Sequence, residues 1–175
     1  MTTALIIGDI QQGITSEYPF ACRVVPPLIE LLPRTRAAGV LVVFVRFAFR
    51  SNAADLPPGN ALFRTFYEAG DSFHEGSAGT EITLPVASED VVVLKRRASA
   101  FAGTDLDLVL RGQSIDTLAI AGVATSAMVA LRRLASRAAR REDLKHRRPG
   151  TGGGLFSGFA ATSSRSMSVH VLVGT

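Results

Sequence analysis

The sequence predicts an α/β domain, a doubly wound three-layer α/β/α arrangement around a mostly parallel sheet. Three observations carry that expectation. Short apolar runs occur at 3–10, 40–45, 91–95 and 117–122. They are continuously apolar rather than alternating, which marks strands covered on both faces. Stretches with helical spacing, and one long irregular stretch, separate them, as crossover connections require.

The elements follow in order. The first run, Thr3-Ala4-Leu5-Ile6-Ile7-Gly8-Asp9-Ile10, reads as a buried strand that carries Asp9 at its C-terminal end. Residues 22–38 place Val24, Val25, Leu28, Leu31 and Leu32 at helical spacing, and Gly39 is the stop signal. The run 40–45 is the second strand. From 48 to 90 the periodicity fades, and Pro57-Pro58-Gly59, Ala69-Gly70-Asp71 and Gly76-Ser77-Ala78-Gly79 mark turns. So long an irregular stretch in a compact domain points to a functional or a disordered segment. Val91 to Lys95 is the third strand, ending in a lysine. Thr104 is the expected N-cap of a helix over 104–110, with Asp105 and Asp107 in its first turn. Thr117 to Gly122 is the fourth strand, and 125–141 is helical in pattern.

Composition narrows the function. The chain has 175 residues, 47% hydrophobic and 19% charged, so it suits one domain with a sizeable core. No apolar run reaches the ~18–20 residues of a membrane span. The N-terminus has no basic leader pattern, which predicts a cytoplasmic protein without a signal peptide. Cys22 is the single cysteine, which excludes an intramolecular disulfide framework and a Cys-rich zinc site; it reads as a packing residue of the first helix. His74, His146 and His170 make no ligand spacing, so no metal or cofactor is expected.

Charge is uneven along the chain. Residues 1–130 hold 10 basic and 13 acidic side chains; 131–175 hold 9 basic and 2 acidic. Arg132, Arg133, Arg137, Arg140 and Arg141 suggest either a nucleic-acid surface or a solvated helix face. No nucleic-acid motif accompanies them, and the solvated face is the reading adopted. The sequence divides into a domain over 1–145 and a divergent, basic, Gly/Ser-rich tail over 146–175, expected to be poorly ordered. Only 169–173 has strand character there, so the last strands of the sheet stay open at this point. Two origins are in view for the tail, a reading-frame change near Lys145 and natural divergence.

The chemistry gathers at strand ends. In doubly wound sheets, ligands bind beyond the carboxyl ends of the strands. Asp9, Lys95 and the turn Gly122-Val123-Ala124-Thr125 all fall there. A carboxylate beside an ammonium can move protons and stabilise an anion, or it can be a structural ion pair. The turn can present backbone N–H groups to an oxyanion, or be a plain βα turn with Thr125 or Ser126 as cap.

This combination resembles the isochorismatase-like hydrolase family, also called the cysteine hydrolase superfamily. The matching stretches are Ala4-Leu5-Ile6-Ile7-Gly8-Asp9-Ile10-Gln11-Gln12-Gly13, then Val93-Leu94-Lys95 onward to Leu106, then Leu118-Ala119-Ile120-Ala121-Gly122-Val123-Ala124-Thr125-Ser126. They stand in the family's order within residues 4 to about 145. The resemblance implies a Rossmann-like fold and a dimer or tetramer. It implies that Asp9 shuttles a proton and that Lys95 supports it. It also implies a cis peptide between Val123 and Ala124, with the N–H groups of Ala124 and Met128 forming the oxyanion hole. The family's nucleophilic cysteine falls at Met128, whose thioether has no ionisable proton and cannot form a thiolate. The Asp-x-His metal motif of nicotinamidases has no counterpart in Val45-Arg46-Phe47-Ala48.

The expectation is therefore a hydrolase of a small polar metabolite, using Asp9/Lys95 acid–base chemistry without a cysteine nucleophile. Isochorismatases that hydrolyse a vinyl ether offer that precedent within the family. The alternative is a non-catalytic member that binds a ligand or a partner. Gln12, Arg46, Phe101 and Thr125 are the candidate substrate contacts, and Phe20, Phe63, Phe66 and Phe73 are candidates to line or lid the site.

Overall fold

In the computed structural model, residues 1–123 and the backbone of 168–171 are described. Five parallel strands form one sheet in the order β3-β2-β1-β4-β5. They are β1 (Thr3–Gly8), β2 (Leu41–Phe47), β3 (Val91–Lys95), β4 (Thr117–Gly122) and β5 (Ser168–Val171). The helices are α1 (Gln12–Thr15), α2 (Pro19–Cys22), α3 (Val25–Ala37), α4 (Ala61–Glu68) and α5 (Leu106–Gly112). A single 3₁₀ turn spans Ala78–Thr80. The predicted helix over 125–141 lies outside the described residues, as does most of the 146–175 tail. Within that tail Ser168–Val171 pairs with β4, so a fifth strand is present.

The inner strands β1, β2 and β4 are covered on both faces, which is why their runs are unbroken. Ala4, Ile6, Val43, Val45, Leu118 and Ile120 share one face with Leu106 and Leu110 of α5. Leu5, Ile7, Val42 and Phe44 share the other with Leu28 and Leu32 of α3. Successive residues point to opposite faces, so two covered faces require continuous hydrophobicity.

Four local readings change. The predicted helix over 22–38 is α3 and begins at Val25 with Val24 as its N-cap position, while a separate short helix, α2, ends at Cys22. Pro26 and Pro27 open α3, where a missing N–H costs nothing. It closes at Gly39, at φ 68°, with Gly39 N–H donating to Arg36 O and Val40 N–H to Thr35 O. Helix α5 begins at Leu106 with Asp105 at the cap position; Thr104 still contributes, its Oγ1 accepting from Leu106 N at 3.3 Å. The irregular stretch contains α4, capped by Asn60 Oδ1 accepting from Phe63 N at 3.1 Å. Cys22 is exposed while Ala21 beside it is buried, so Cys22 is not a packing residue.

Candidate active site

The site begins where β1 runs out. Asp9 follows Gly8 in the left-handed region, at φ 60°, a conformation that few non-glycine residues adopt. Its N–H donates to Val45 O at 2.9 Å, which holds the turn against β2. Gly122 makes that approach possible on the other side. It pairs with Gly8 in the register, and a Cβ on it would stand 2.2 Å from Gly8 O. With φ at 119°, the position is open to glycine on both counts.

Lys95 is the last residue of β3, which is not adjacent to β1. Its side chain spans the end of β2, and Nζ donates to Asp9 Oδ2 at 2.7 Å. Nζ also donates to Ala98 O at 3.2 Å. Both side chains are buried, 4% and 7% exposed. The other carboxylate oxygen, Asp9 Oδ1, is buried and has no hydrogen-bond partner among the described residues. Burial pushes the Asp9 carboxyl above the ordinary carboxylate range; the charge and hydrogen bond of Lys95 pull it only partway back.

A cavity of about 400 Å³ opens over this pair. Asp9 and Lys95 are the charged groups in its described wall. Phe47, Phe63 and Phe73 line its interior and pack together, with ring centroids 5.4 Å and 5.9 Å from Phe47. Tyr18, Phe20, Leu62 and Phe66 complete the apolar wall with Ile14, Ala98 and Val123. The four loop phenylalanines proposed from sequence therefore line the cavity, and Phe63 and Phe73 also belong to a buried aromatic cluster with Phe47 and Phe49.

The structure brings Asp9 and Lys95 together and leaves three other candidates outside the described wall. Gln12 is exposed. Arg46 shares a sheet face with Val42 and Phe44, opposite to that of Phe47. Phe101 packs against the core on the α5 side. Ala124, Thr125 and Met128 lie outside the described residues, and with them the Val123–Ala124 peptide. Val123 itself lines the cavity and donates from its N–H to Gly8 O at 3.0 Å.

Sequence reasoning missed Gln11. Its side chain is fully buried, with Nε2 donating to Phe47 O at 2.9 Å and Oε1 accepting from Phe47 N. It thus caps β2 and fixes the ring at the cavity floor. The backbone around it is pinned by Gln12 N–H to Glu81 O at 2.9 Å and Thr83 N–H to Ile10 O at 3.0 Å. Two adjacent glutamines are equivalent by composition, and only the turn after Asp9 decides which one faces inward. Among the described residues no group of three or more His, Cys, Asp or Glu side chains is placed to hold a metal ion. No helix among them is long and apolar enough to cross a membrane.

An acid and a lysine meet at the carboxyl ends of parallel strands, under an open cavity, where doubly wound sheets bind their ligands. Residues 3–142 match the isochorismatase domain model, and the chain belongs to the isochorismatase-like hydrolase family. It is 36% identical over 127 residues to an uncharacterized isochorismatase family protein of Bacillus subtilis, covering 71% of this chain and 64% of that one. It is 30% identical over 136 residues to the N-carbamoylsarcosine amidase of an Arthrobacter species, covering 72% of this chain and 50% of the enzyme. Among solved structures, a cysteine hydrolase from Pseudomonas syringae pv. phaseolicola superposes with a TM-score of 0.67 at 26% identity, covering 78% of this chain and 67% of that one. The chain spans less than two thirds of the length of these two curated relatives.

Proposed function

We propose that the protein hydrolyses a small metabolite through Asp9 and Lys95, without a covalent protein intermediate. The observation that carries the reading is the state of Asp9. Its carboxyl is buried, its pKa is raised, and one oxygen, in the wall of a cavity, has no partner among the described residues. A general acid needs that combination of proton and reach. In the proposed reaction Asp9 gives its proton to the substrate. Water then adds to the electron-poor carbon and returns a proton to Asp9, and the adduct collapses: its carbon–nitrogen or carbon–oxygen bond breaks, the new hydroxyl becomes a carbonyl, and the hydroxyl's proton leaves on the departing amine or alcohol. Lys95 holds the carboxylate formed in between through the bond from Nζ to Oδ2. Met128 at the family's cysteine position is the reason for assigning attack to water, since a thioether cannot form a thiolate.

The test compares purified wild type with Asp9→Asn on isochorismate and on a panel of small amides. A loss of roughly 10²- to 10⁴-fold in kcat supports the acid role. No turnover by the wild type, or turnover that Asp9→Asn leaves unchanged, counts against it. Met128 also favours a second reading, a member of the family that binds a ligand without turning it over. That reading predicts a Tm raised by the ligand with no product formed.

A further inference from the structure

We propose that the cavity selects neutral substrates that carry an aromatic or branched apolar group beside the hydrolysed bond, and that it disfavours dicarboxylates. This rests on the hydrolase reading of Asp9 and Lys95 and names its substrate class.

The wall chemistry carries the inference. Of the twelve described residues lining the cavity, ten are apolar or aromatic. The two charged ones are already spent on each other, with Lys95 Nζ at 2.7 Å from Asp9 Oδ2. The described wall offers no second cation. Against the described wall a dianion would leave water to meet a single ammonium, and that ammonium is engaged. The polar candidates that would have contacted such a substrate, Gln12 and Arg46, are not in the described wall.

The mouth points the same way. Phe20 and Leu62 are 58% and 60% exposed, and Tyr18 is 40% exposed. Tyr18 and Phe20 lie with ring centroids 5.7 Å apart, tilted by 45°, on the α2 side of the opening. Leu62 lies across from them on α4, whose Phe63 and Phe66 continue the wall inward. Three apolar side chains left in water around one opening are covered when an apolar ligand seats there. The volume, about 400 Å³, is in the range of small-molecule sites.

The experiment measures two matched pairs on the full chain. Phenylacetamide and succinamate carry the same amide on a neutral aromatic and on an anionic group. Phenyl vinyl ether and isochorismate do the same for a vinyl ether. We expect kcat/KM to favour the neutral aromatic member by roughly 10- to 100-fold, the worth of burying one ring. Equal or better turnover of succinamate and isochorismate overturns the inference and leaves the hydrolase reading intact. If no compound is turned over, the Tm shift at equal concentrations decides. Stabilisation by phenylacetamide well above that by succinamate upholds the ligand class and sinks the hydrolase reading, and equal or absent shifts overturn the inference as well. Leu62→Lys, at an exposed helix position, puts a cation at the mouth. It is expected to move the neutral-to-anion preference about 10-fold toward the anion, in kcat/KM or in the Tm shifts, and an unchanged ratio overturns the role of the mouth.

Discussion

Among the described residues three aspartates with buried carboxylates, Asp9, Asp55 and Asp90, hold basic partners, and two of them, Asp55 and Asp9, are satisfied very differently. Asp55, 6% exposed at its side chain, is bonded on every side. Its carboxylate accepts from Arg50 N at 3.0 Å and 3.3 Å and from Arg96 Nη1 at 3.3 Å, and its carbonyl accepts from Arg97 Nη1 at 2.8 Å. Asp9, equally buried, has one lysine on one oxygen and, among the described residues, no partner on the other. A structural carboxylate recovers its lost hydration by saturating its lone pairs. A carboxylate left half-satisfied keeps a raised pKa and a free oxygen, which a structure without a task for it would have no reason to retain. The difference separates a tie from a tool within one chain.

The sharpest way to break that comparison is to neutralise each aspartate. Asp9→Asn keeps the shape and an acceptor for Lys95 Nζ, and should lower kcat by roughly 10²- to 10⁴-fold with the fold retained by circular dichroism. The wild-type pH profile should lose activity as pH rises through the Asp9 pKa, above the ordinary carboxylate range, because the acid form is the active one. Stability has the same sign. The folded carboxyl binds its proton more tightly than the unfolded one, so the contribution of Asp9 is fully present below the unfolded value of about 3.9 and falls as pH rises to the folded value. A chemical-denaturation series across that window, wild type against Asp9→Asn, reads the slope directly. A slope of opposite sign would make Asp9 an ordinary salt-bridged carboxylate.

Removing the lysine is the next largest effect. Lys95→Met keeps the aliphatic bulk and strips Asp9 of its one partner. It should raise the Asp9 pKa further and lower stability increasingly as pH rises, since the buried carboxyl loses the charge that favours its ionised form. Adding Asp9→Asn should recover most of that loss in a double-mutant cycle, because an amide tolerates the site better than an unpaired carboxylate. Simple additivity of the two would mean that the pair is not coupled.

Gln11 tests what the sequence can reveal. The four predicted strands and the convergence of Asp9 and Lys95 were legible, because apolar runs report two-sided burial and strand ends have a fixed place in a parallel sheet. The polar wall of the site was not. Gln12, Arg46 and Phe101 were chosen for lying near strand ends or motifs, but side-chain direction there depends on one-residue turns that carry no periodicity. The left-handed turn at Asp9 leaves Gln11 inward and Gln12 in solvent. Helix α4 escaped as well, since eight residues between two turn signals hold too few periods to register. Gln11→Ala leaves both backbone groups of Phe47 unpaired in the interior and should cost about 2–3 kcal/mol. Gln12→Ala should stay within about 0.5 kcal/mol. Equal costs for the two would mean that the inward residue is not Gln11.

The smallest effect belongs to the outer arm of the Asp55 network. Arg96 Nη2 donates to Glu75 Oε2 at 2.7 Å, and Glu75 is 43% exposed at its side chain. Water competes for a carboxylate so placed, and salt screens it. Glu75→Gln should therefore lower stability by about 0.2–1 kcal/mol, a shift of a few degrees or less in Tm, and the difference should vanish near 1 M salt. Activity should not change, because Arg96 remains tied to Asp55 and to Ala48 O at 3.4 Å. A change in kcat with Glu75→Gln would show that the saturated network and the half-satisfied pair are one device, joined through the adjacent residues Lys95 and Arg96.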